Sequence, residues 1–535
     1  MNSSSNRQQW TKRVINSALW AAYGDALGFI TELATPSSLS ARIKERFVDR
    51  TIEWRRRIGG KFGVTLKLPS GCYSDDTQLR LAVSRSITQD GYFDVASFAS
   101  IELPVWRFYA LGAGNASQVA ARSLSSPRTG WNTNFYSDKK ALYCFAGGNG
   151  AAMRIQPHVW SSRAYERLEL LRNVIHDCIV THGHPNAIIG AAFHALSLQY
   201  AMETGRLPGV IDSQNFLEAI SKIPDLICND PELNLAWLPM WENQAKQSFH
   251  REFGQALSQA ARDIQIAYDS SFKKEYRLIL EQLNAFDTSQ RGSGTKTAII
   301  ATVLASMIQQ PEYSVIEAAN ALNSDTDTIA SMCGALVGAI SDTPPQHPIQ
   351  DYEYIQDEAF RLAGVRSKTG GLRFMYPEST VTGKALNKSE GLYKNGKEIC
   401  LLGLGPLEFI SEPVYQHTKD RMAWQWARLS FGQTILVKRG QTIKEAQIPT
   451  GSYTEPKIEK QKTTMAPLQS QNENGPASKL GVNDAFEKMR EINFDPMILG
   501  KTLLEFADRD RGVDEAIAFA ALVAKARNAR NKKRA

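Results

Sequence analysis

Apolar positions recur every three to four residues through Trp10, Val14, Ala18, Leu19, Ala22 and Tyr23, the spacing of a helix with one buried face. The pattern predicts a helix that runs into Gly24-Asp25-Ala26-Leu27-Gly28 and on to Glu32. Gly24 and Gly28 share a helical face and permit a neighbouring helix to approach closely. Asp25 and Glu32 stand two turns apart, so both can point into one cavity; taken singly, each is as well explained as a surface carboxylate. Residues 40–70 are basic and then Gly-rich, and read as a loop crossing the surface. Ser74-Asp75-Asp76-Thr77 then opens an apolar helix carrying Leu79, Leu81, Ala82, Val83 and Ile87. Two more helices are expected over 171–200, broken at Thr181-His182-Gly183-His184-Pro185, where Pro185 suits a first helical position. The run Ser314 to Leu322 leads to Asp325-Thr326-Asp327-Thr328, which opens a helix rich in Ala and Gly. The expected fold over residues 10–365 is therefore all-α.

Beyond that the pattern changes. Gly turns and short alternating runs such as Thr434-Ile435-Leu436-Val437-Lys438 predict a small β-rich module over 366–450. Residues 451–480, rich in Pro, Ser, Gln, Asn, Lys and Thr, read as a flexible linker. Residues 481–535 return to helical spacing, with an apolar stripe through Ala516, Ile517, Phe519, Ala520, Leu522 and Val523 that could dock on the main domain or on a partner.

A chain of 535 residues can bury a large core in more than one domain. Lys and Arg total 62 against 55 Asp and Glu, a formal charge of +7. Spread over this length, that excess does not by itself argue nucleic-acid binding. Its distribution is uneven: residues 525–535 hold six basic side chains and no acid, a tail that is solvated or touches a phosphate backbone. A protein or nucleic-acid partner through the C-terminal region is thus open. The six cysteines are scattered without a C-x-x-C pair, so neither a zinc site nor a disulfide scaffold is indicated, and a cytoplasmic setting fits. No stretch reaches the length of a membrane span, and Gly24-Asp25 breaks the apolar run behind Lys12-Arg13 too early for a signal peptide.

The two acidic helix starts carry the chemistry. Helix capping explains Asp or Thr at either one alone. It does not readily explain paired acids flanked by hydroxyls ahead of apolar helices, since an ionised carboxylate delivered by a buried helix needs hydrogen bonds, a proton or a cation. Ser74, Asp75, Asp76, Asp325, Asp327 and Thr328 are all oxygen donors, with no His or Cys in either motif, which points to Mg²⁺, Mn²⁺ or Ca²⁺ and away from zinc. Six ligands exceed what one Mg²⁺ takes from protein, so two ions sharing a bridging carboxylate is the better arithmetic. Gly147-Gly148-Asn149-Gly150, running into Ala151-Ala152-Met153-Arg154, can present backbone N–H groups to an anion or form only a tight turn. His182 and His184 are ligand contacts or structural loop histidines. Arg291 to Thr297 lacks the Gly before Lys296 that a nucleotide P-loop requires.

In order, G-D-A-L-G-(x)3-E (Gly24 to Glu32), S-D-D-T (Ser74 to Thr77), G-N-G-A-A-M-R (Gly148 to Arg154), T-H-G-H-P (Thr181 to Pro185) and D-T-D-T-I-A (Asp325 to Ala330) resemble the motif set of the ADP-ribosylglycohydrolase family, including its dinitrogenase reductase-activating members. The resemblance covers residues 10–365 and implies a helical bundle holding two Mg²⁺ (or Mn²⁺) and acting on ADP-ribosylated protein, nucleic acid or a small molecule. It implies Ser74, Asp75, Asp76, Asp325, Asp327 and Thr328 as metal ligands, Glu32 near the scissile bond, and Gly148, Asn149, Gly150 and His182 around the diphosphate and ribose. Asp75 or Asp327 would orient the attacking water, with Glu32 as a gate or proton-transfer group. The family commonly has Thr at position 74 and Gly-Gly at 323 and 324, where this chain has Ser74, Asn323 and Ser324. Gly292 to Ala298 also departs from the family's usual G-Y-x-x-D-T-L. Two other readings are a metal-dependent phosphohydrolase acting on nucleotides and an ADP-ribose-binding scaffold without turnover.

Overall fold

Two helices separated by almost 300 residues of chain form the most intimate contact in the protein. In the computed structural model, α1 (Ser3–Thr31) lies against a helix spanning Thr326–Ile340. A Cβ on Gly28 would stand 2.5 Å from the Cα of Asp327, one on Gly24 2.2 Å from the carbonyl oxygen of Ala330, and one on Gly334 2.3 Å from that of Trp20. The pairing 28 with 327, 24 with 330 and 20 with 334 fixes an antiparallel register, and glycines on both helices allow the backbones to touch. The expected close approach at Gly24 and Gly28 is thus reciprocal, with Gly334 and Gly338 answering from the other side.

The structure describes residues 3–60, 63–139, 141–162, 167–367, 373–377, 391–416 and 422–445, together with 481, 485–486, 488–489, 496–507, 516, 519–520 and 522–523. Residues 1–450 form one compact unit and 451–535 another. In the first unit, α2 (Asp75–Arg85), α3 (Asn115–Leu124), α4 (Pro185–Thr204), α5 (Gly294–Met307) and α6 (Thr326–Ile340) surround the site. α4, α5 and α6 are apolar nearly all round and buried along most of their length, as central helices of a large core must be.

An all-α core does not hold over 10–365. The segment read as a surface loop contains an antiparallel hairpin, β1 (Trp54–Ile58) and β2 (Val64–Leu68), in register Trp54 with Leu68, Arg56 with Leu66 and Ile58 with Val64. The strands alternate in burial, with Trp54 and Ile58 inside on one and Val64, Leu66 and Leu68 on the other. Three successive arginines obscure that alternation in the sequence. Arg56 nevertheless faces inward, its guanidinium 4.3 Å from the Phe29 ring, because a long stem can cover apolar surface while its head stays polar.

After α7 (Tyr352–Arg366) comes an antiparallel sheet of six strands: β3 (Leu392–Asn395), β4 (Glu398–Leu401), β5 (Gly405–Phe409), β6 (Val414–Tyr415), β7 (Ala423–Leu429) and β8 (Thr434–Arg439). The order is β3-β4-β5-β7-β6, with β8 also on β7. Its buried residues, Leu401, Leu407, Ala427, Ile435 and Val437 among them, join the main hydrophobic core. A buried ion pair fastens the junction: Arg85, at the end of α2, donates to Glu102 at 2.7 and 2.8 Å and to Gln433 of the β7–β8 turn at 2.8 Å.

In the second unit, α8 (Pro496–Ala507) contributes Phe506 to a small cluster with Ala485, Met489, Ala516, Phe519 and Val523. The apolar stripe therefore packs, at Ala516, Phe519 and Val523, inside its own unit. The expected linker 451–480 and the basic tail lie outside the described residues. All six cysteines are free. Among the described residues, no helix is long and apolar enough to cross a membrane.

Candidate active site

The two acidic helix starts meet. Thr328 Oγ1, in the first turn of α6, donates to Asp76 Oδ2 of α2 at 3.3 Å across 252 positions of sequence. Around that contact lies a cavity of about 480 Å³ lined by Glu32, Asp75, Asp76, Asp325, Asp327 and Thr328, and by Gly148, Asn149, Gly150 and His182. Ser74 is not on its wall. It is fully buried at the N-cap of α2, where its Oγ accepts from the Asp76 amide at 3.2 Å.

Capping and cavity roles divide residue by residue. Asp25 is the capping acid: Oδ1 accepts from the Ser74 amide at 2.9 Å, and Oδ2 from the Thr77 amide and hydroxyl at 2.8 and 2.6 Å. The expectation that Asp25 shares a cavity with Glu32 is corrected accordingly, since α1 turns Asp25 toward the start of α2 and Glu32 toward the open space. Asp325 occupies the N-cap of α6 but makes no capping bond there. Its Oδ2 instead accepts from Asn149 Nδ2 at 2.9 Å. Asp76 Oδ1 is buried with no hydrogen-bond partner among the described residues.

Burial and crowding disfavour ionisation of Glu32, Asp75, Asp76 and Asp327. Burial, then the charges of Glu32 and Asp25, push Asp75 well above the usual carboxylate range. Asp76 is raised by burial and by Asp25 and Asp75, against the opposing charge of Arg80. Asp327 is raised by burial and by Glu32, Asp325 and Asp76. Glu32 is raised mainly by burial, while Arg56 Nη2, 2.7 Å from its Oε2, pulls the other way. A carboxylate group of this kind must take up protons or a cation. The donors are oxygens only, and one buried oxygen lacks any partner, which fits a hard divalent cation. Among the described residues, no three or more His, Cys, Asp or Glu side chains are grouped so as to hold a metal ion as they stand, so the fit rests on donor type and unmet charge alone.

Beside Asp325 the cavity is lined by a glycine loop stitched to the segment Arg291 to Thr297. Asn149 N donates to Gly292 O at 2.9 Å, Gly294 N to Gly147 O at 2.9 Å, and Gly148 pairs with Ser293 as an isolated bridge. A Cβ on Gly150 would come 2.8 Å from His182 Cε1, so glycine there lets the imidazole edge reach the cavity. Burial first, then the Arg154 charge, lowers His182 to about 3, and the ring is neutral near pH 7. Thr181 Oγ1, 2.7 Å from His182 Nδ1, already accepts from Arg154 at 3.0 Å. His184 is not a cavity residue; its Nδ1 caps α4 by accepting from the Asn186 amide at 3.1 Å.

Three contributors were not assigned to the site from the sequence: Arg56 of the hairpin, through its ion pair with Glu32, and, in the cavity lining, residues Gly112 to Ser117 at the start of α3 and Arg291-Gly292. The glycines at 112, 114 and 292 were the available signal. Asn323 stands where the family commonly has glycine and keeps a left-handed backbone, φ 73°, a conformation Asn tolerates better than most residues. Ser324 lines the cavity where glycine would leave more room.

A family model described as ADP-ribosylglycohydrolase matches residues 6–367, well over half of the chain. The chain belongs to the ADP-ribosylglycohydrolase family. It is 29% identical over 174 residues to the ADP-ribosyl-[dinitrogen reductase] glycohydrolase of Rhodospirillum rubrum, an overlap of 32% of this chain and 52% of that protein. The chain thus spans about half the length of that curated relative. A solved structure titled ADP-ribosylglycohydrolase-related protein complex is 19% identical and overlaps 68% of this chain and all of the other, at a TM-score of 0.42, which carries no argument of its own.

Proposed function

We propose that this ADP-ribosylglycohydrolase-family chain hydrolyses the bond between ribose C1″ of ADP-ribose and an acceptor, releasing free ADP-ribose. The observation that carries the reading is the Thr328–Asp76 contact, which sets two acid-bearing helix starts on one cavity together with a glycine loop and a neutral histidine. Two Mg²⁺ (or Mn²⁺), held by Asp75, Asp76, Asp325, Asp327 and Thr328 with Ser74 behind them, would supply charge neutralisation and Lewis-acid activation of water.

The remaining work falls to the chain's own groups. The backbone amides of the glycine loop and the neutral imidazole of His182 bind and orient the diphosphate and its neighbouring ribose. Cleavage passes through an oxocarbenium-like state, whose positive charge suits a cavity with excess carboxylate. Asp75 or Asp327 orients the attacking water and takes its proton. Glu32, in the cavity lining and held by Arg56, passes a proton to the departing acceptor or gates its exit.

Product analysis tests the reading with ADP-ribosyl substrates of different linkage, Mg²⁺ present, and an Asp75→Asn/Asp327→Asn double variant. Free ADP-ribose with an intact diphosphate, lost in the double variant, supports it. Activity near wild type in that variant removes the acidic cluster from catalysis. AMP among the products would indicate a nucleotide phosphohydrolase, and ADP-ribose binding without turnover a scaffold.

A further inference from the structure

Among the described residues, the acidic cavity has one cationic side chain in its lining. Arg291 stands there with five carboxylic side chains, those of Glu32, Asp75, Asp76, Asp325 and Asp327. The other guanidiniums around the site are tethered: Arg56 to Glu32 at 2.7 Å, Arg80 to Gln156, Thr77 and Ser331, and Arg154 to Asp177 at 2.8 Å. The side chain of Arg291 is half-buried, yet among the described residues it has neither an ion pair nor a hydrogen bond. A guanidinium presents five donors in a fixed plane, and polar groups leaving bulk water are ordinarily met by a partner.

The backbone around Arg291 is held while its head group is left over. Arg291 N donates to Asp287 O at 2.7 Å and Ser293 N to Gln290 O at 2.9 Å, which fixes where the side chain departs. The carbonyl of the next residue, Gly292, accepts from Asn149 N at 2.9 Å, so Arg291 stands one residue from the contact with the glycine loop. The acids on that side have donors of their own: Asp325 accepts from Asn149 Nδ2 at 2.9 Å, and Asp287 from the Ser289 amide at 2.7 Å. A diphosphate entering this cavity brings negative charge to walls already rich in carboxylates, and neutral amides alone offset little of it. A planar guanidinium fork matches two phosphate oxygens at once, where an ammonium would act as a point charge.

We propose that Arg291 grips the diphosphate of the bound ADP-ribosyl group beside the amides of the glycine loop, and that its charge sets the affinity of this chain for that group. The identity of the ligand rests on the glycohydrolase reading. Arg291 immediately precedes Gly292 to Ala298, the stretch that departs from the family's usual pattern, so the grip belongs to this chain and not to the shared motifs. The diphosphate is remote from the C1″ bond and is held alike before and during cleavage, so loss of the grip should raise KM and leave kcat nearly unchanged.

The experiment is calorimetric titration of the full chain with ADP-ribose, Mg²⁺ present, at low and at high salt, for the wild type, Arg291→Met and Arg291→Lys. Wild-type affinity is expected to fall as salt rises. Arg291→Met should weaken binding about 10–100-fold and remove most of that salt dependence. Arg291→Lys keeps the charge and should recover the greater part of the affinity. Both variants should melt close to the wild type, since the side chain has no partner to lose. ADP-ribose affinity within about twofold of wild type in Arg291→Met overturns the proposal, as does an equal loss in the Met and Lys variants, which would make Arg291 a residue of shape and not of charge. A wild-type chain that binds no ADP-ribose overturns the glycohydrolase reading and this proposal with it. Binding that is undiminished without the guanidinium overturns the proposal alone.

Discussion

Gly28→Ala tests whether the contact between α1 and α6 sets the geometry of the site. The added methyl would lie 2.4 Å from the carbonyl oxygen of Thr326 and 2.5 Å from the Cα of Asp327, both backbone atoms with no rotamer to yield. Those distances are about 1 Å short of ordinary contact, so the helices must separate by roughly that amount. Overpacking of this kind costs about 1–3 kcal/mol, and more where only backbone can move. The displacement falls on Asp327 itself, and about 1 Å of misplacement lowers turnover on the order of a hundredfold. Chemical denaturation gives the stability change, and calorimetric Mg²⁺ titration with ADP-ribose release gives the effect on the site. Gly254→Ala is the control: Gly254 lies exposed in the helix Phe249–Ser271 with nothing within 4 Å of an added Cβ, and alanine there should stabilise by about 0.5–1 kcal/mol. If Gly28→Ala leaves stability, ion affinity and turnover at wild-type values, the close helix contact does not position Asp327.

The acidic cluster makes an opposite prediction about stability. Asp76→Asn removes one of the mutually repelling buried carboxylates, so the ion-free protein should melt higher while the melting shift produced by added Mg²⁺ shrinks or vanishes; a full Mg²⁺ shift in the variant counts against Asp76 as a ligand. Arg56→Met takes away the cation that holds the proton affinity of Glu32 down, and the alkaline limb of the pH–rate profile, where a proton-donating Glu32 loses its proton, should move to higher pH, with an unmoved limb excluding Glu32 from the titration. His194 is buried, and burial lowers it to about 3, so the unfolded chain takes up a proton there below its ordinary value near 6.5 while the folded chain does not. Stability from this group is therefore present above pH 6.5 and falls by about 1.4 kcal/mol per pH unit between roughly 6.5 and 3. His194→Gln should flatten the slope of stability against pH by that amount over this window, whatever its effect at neutral pH.

Motifs that act through their own local chemistry were legible in the sequence. The acids at the starts of α2 and α6 announce themselves because apolar helices seldom open with paired carboxylates, and the structure sets Asp75, Asp76, Asp325 and Asp327 on one wall. Gly24 and Gly28 were readable for a similar reason, as two small residues on one helical face. What was not legible depends on contacts distant in sequence. Asp25 and Glu32 look equivalent along α1, yet a small difference in facing gives Asp25 three donors and Glu32 a cavity. Arg56 sits in a basic run that reads as solvated loop, and only the alternation of Trp54, Ile58, Val64, Leu66 and Leu68 reveals a hairpin able to carry it inward. Arg291 to Thr297 failed a motif test correctly, but its backbone pairing with the glycine loop has no sequence signature.

The same residue type thus has contrasting roles a few ångströms apart, and the difference lies in which donors each carboxylate finds. Asp25 is raised by burial, but its three donors and Arg80 all favour the charged form; it can hold the start of α2 in place without help. Asp76 has Arg80 on one side, two long hydroxyl contacts at 3.3 and 3.4 Å, and an oxygen with nothing. Arg80 could in principle neutralise Asp76 by moving toward it. It is held back by Gln156 at 3.2 Å, by Thr77 at 3.4 Å and by a hydrogen bond to Ser331 of α6. Fixing that guanidinium between α2 and α6 keeps part of the negative charge uncompensated in the folded chain. A site whose own cation is tethered in this way keeps negative charge that a proton or an added cation would meet, and its amount is set by the packing of the helices that carry it.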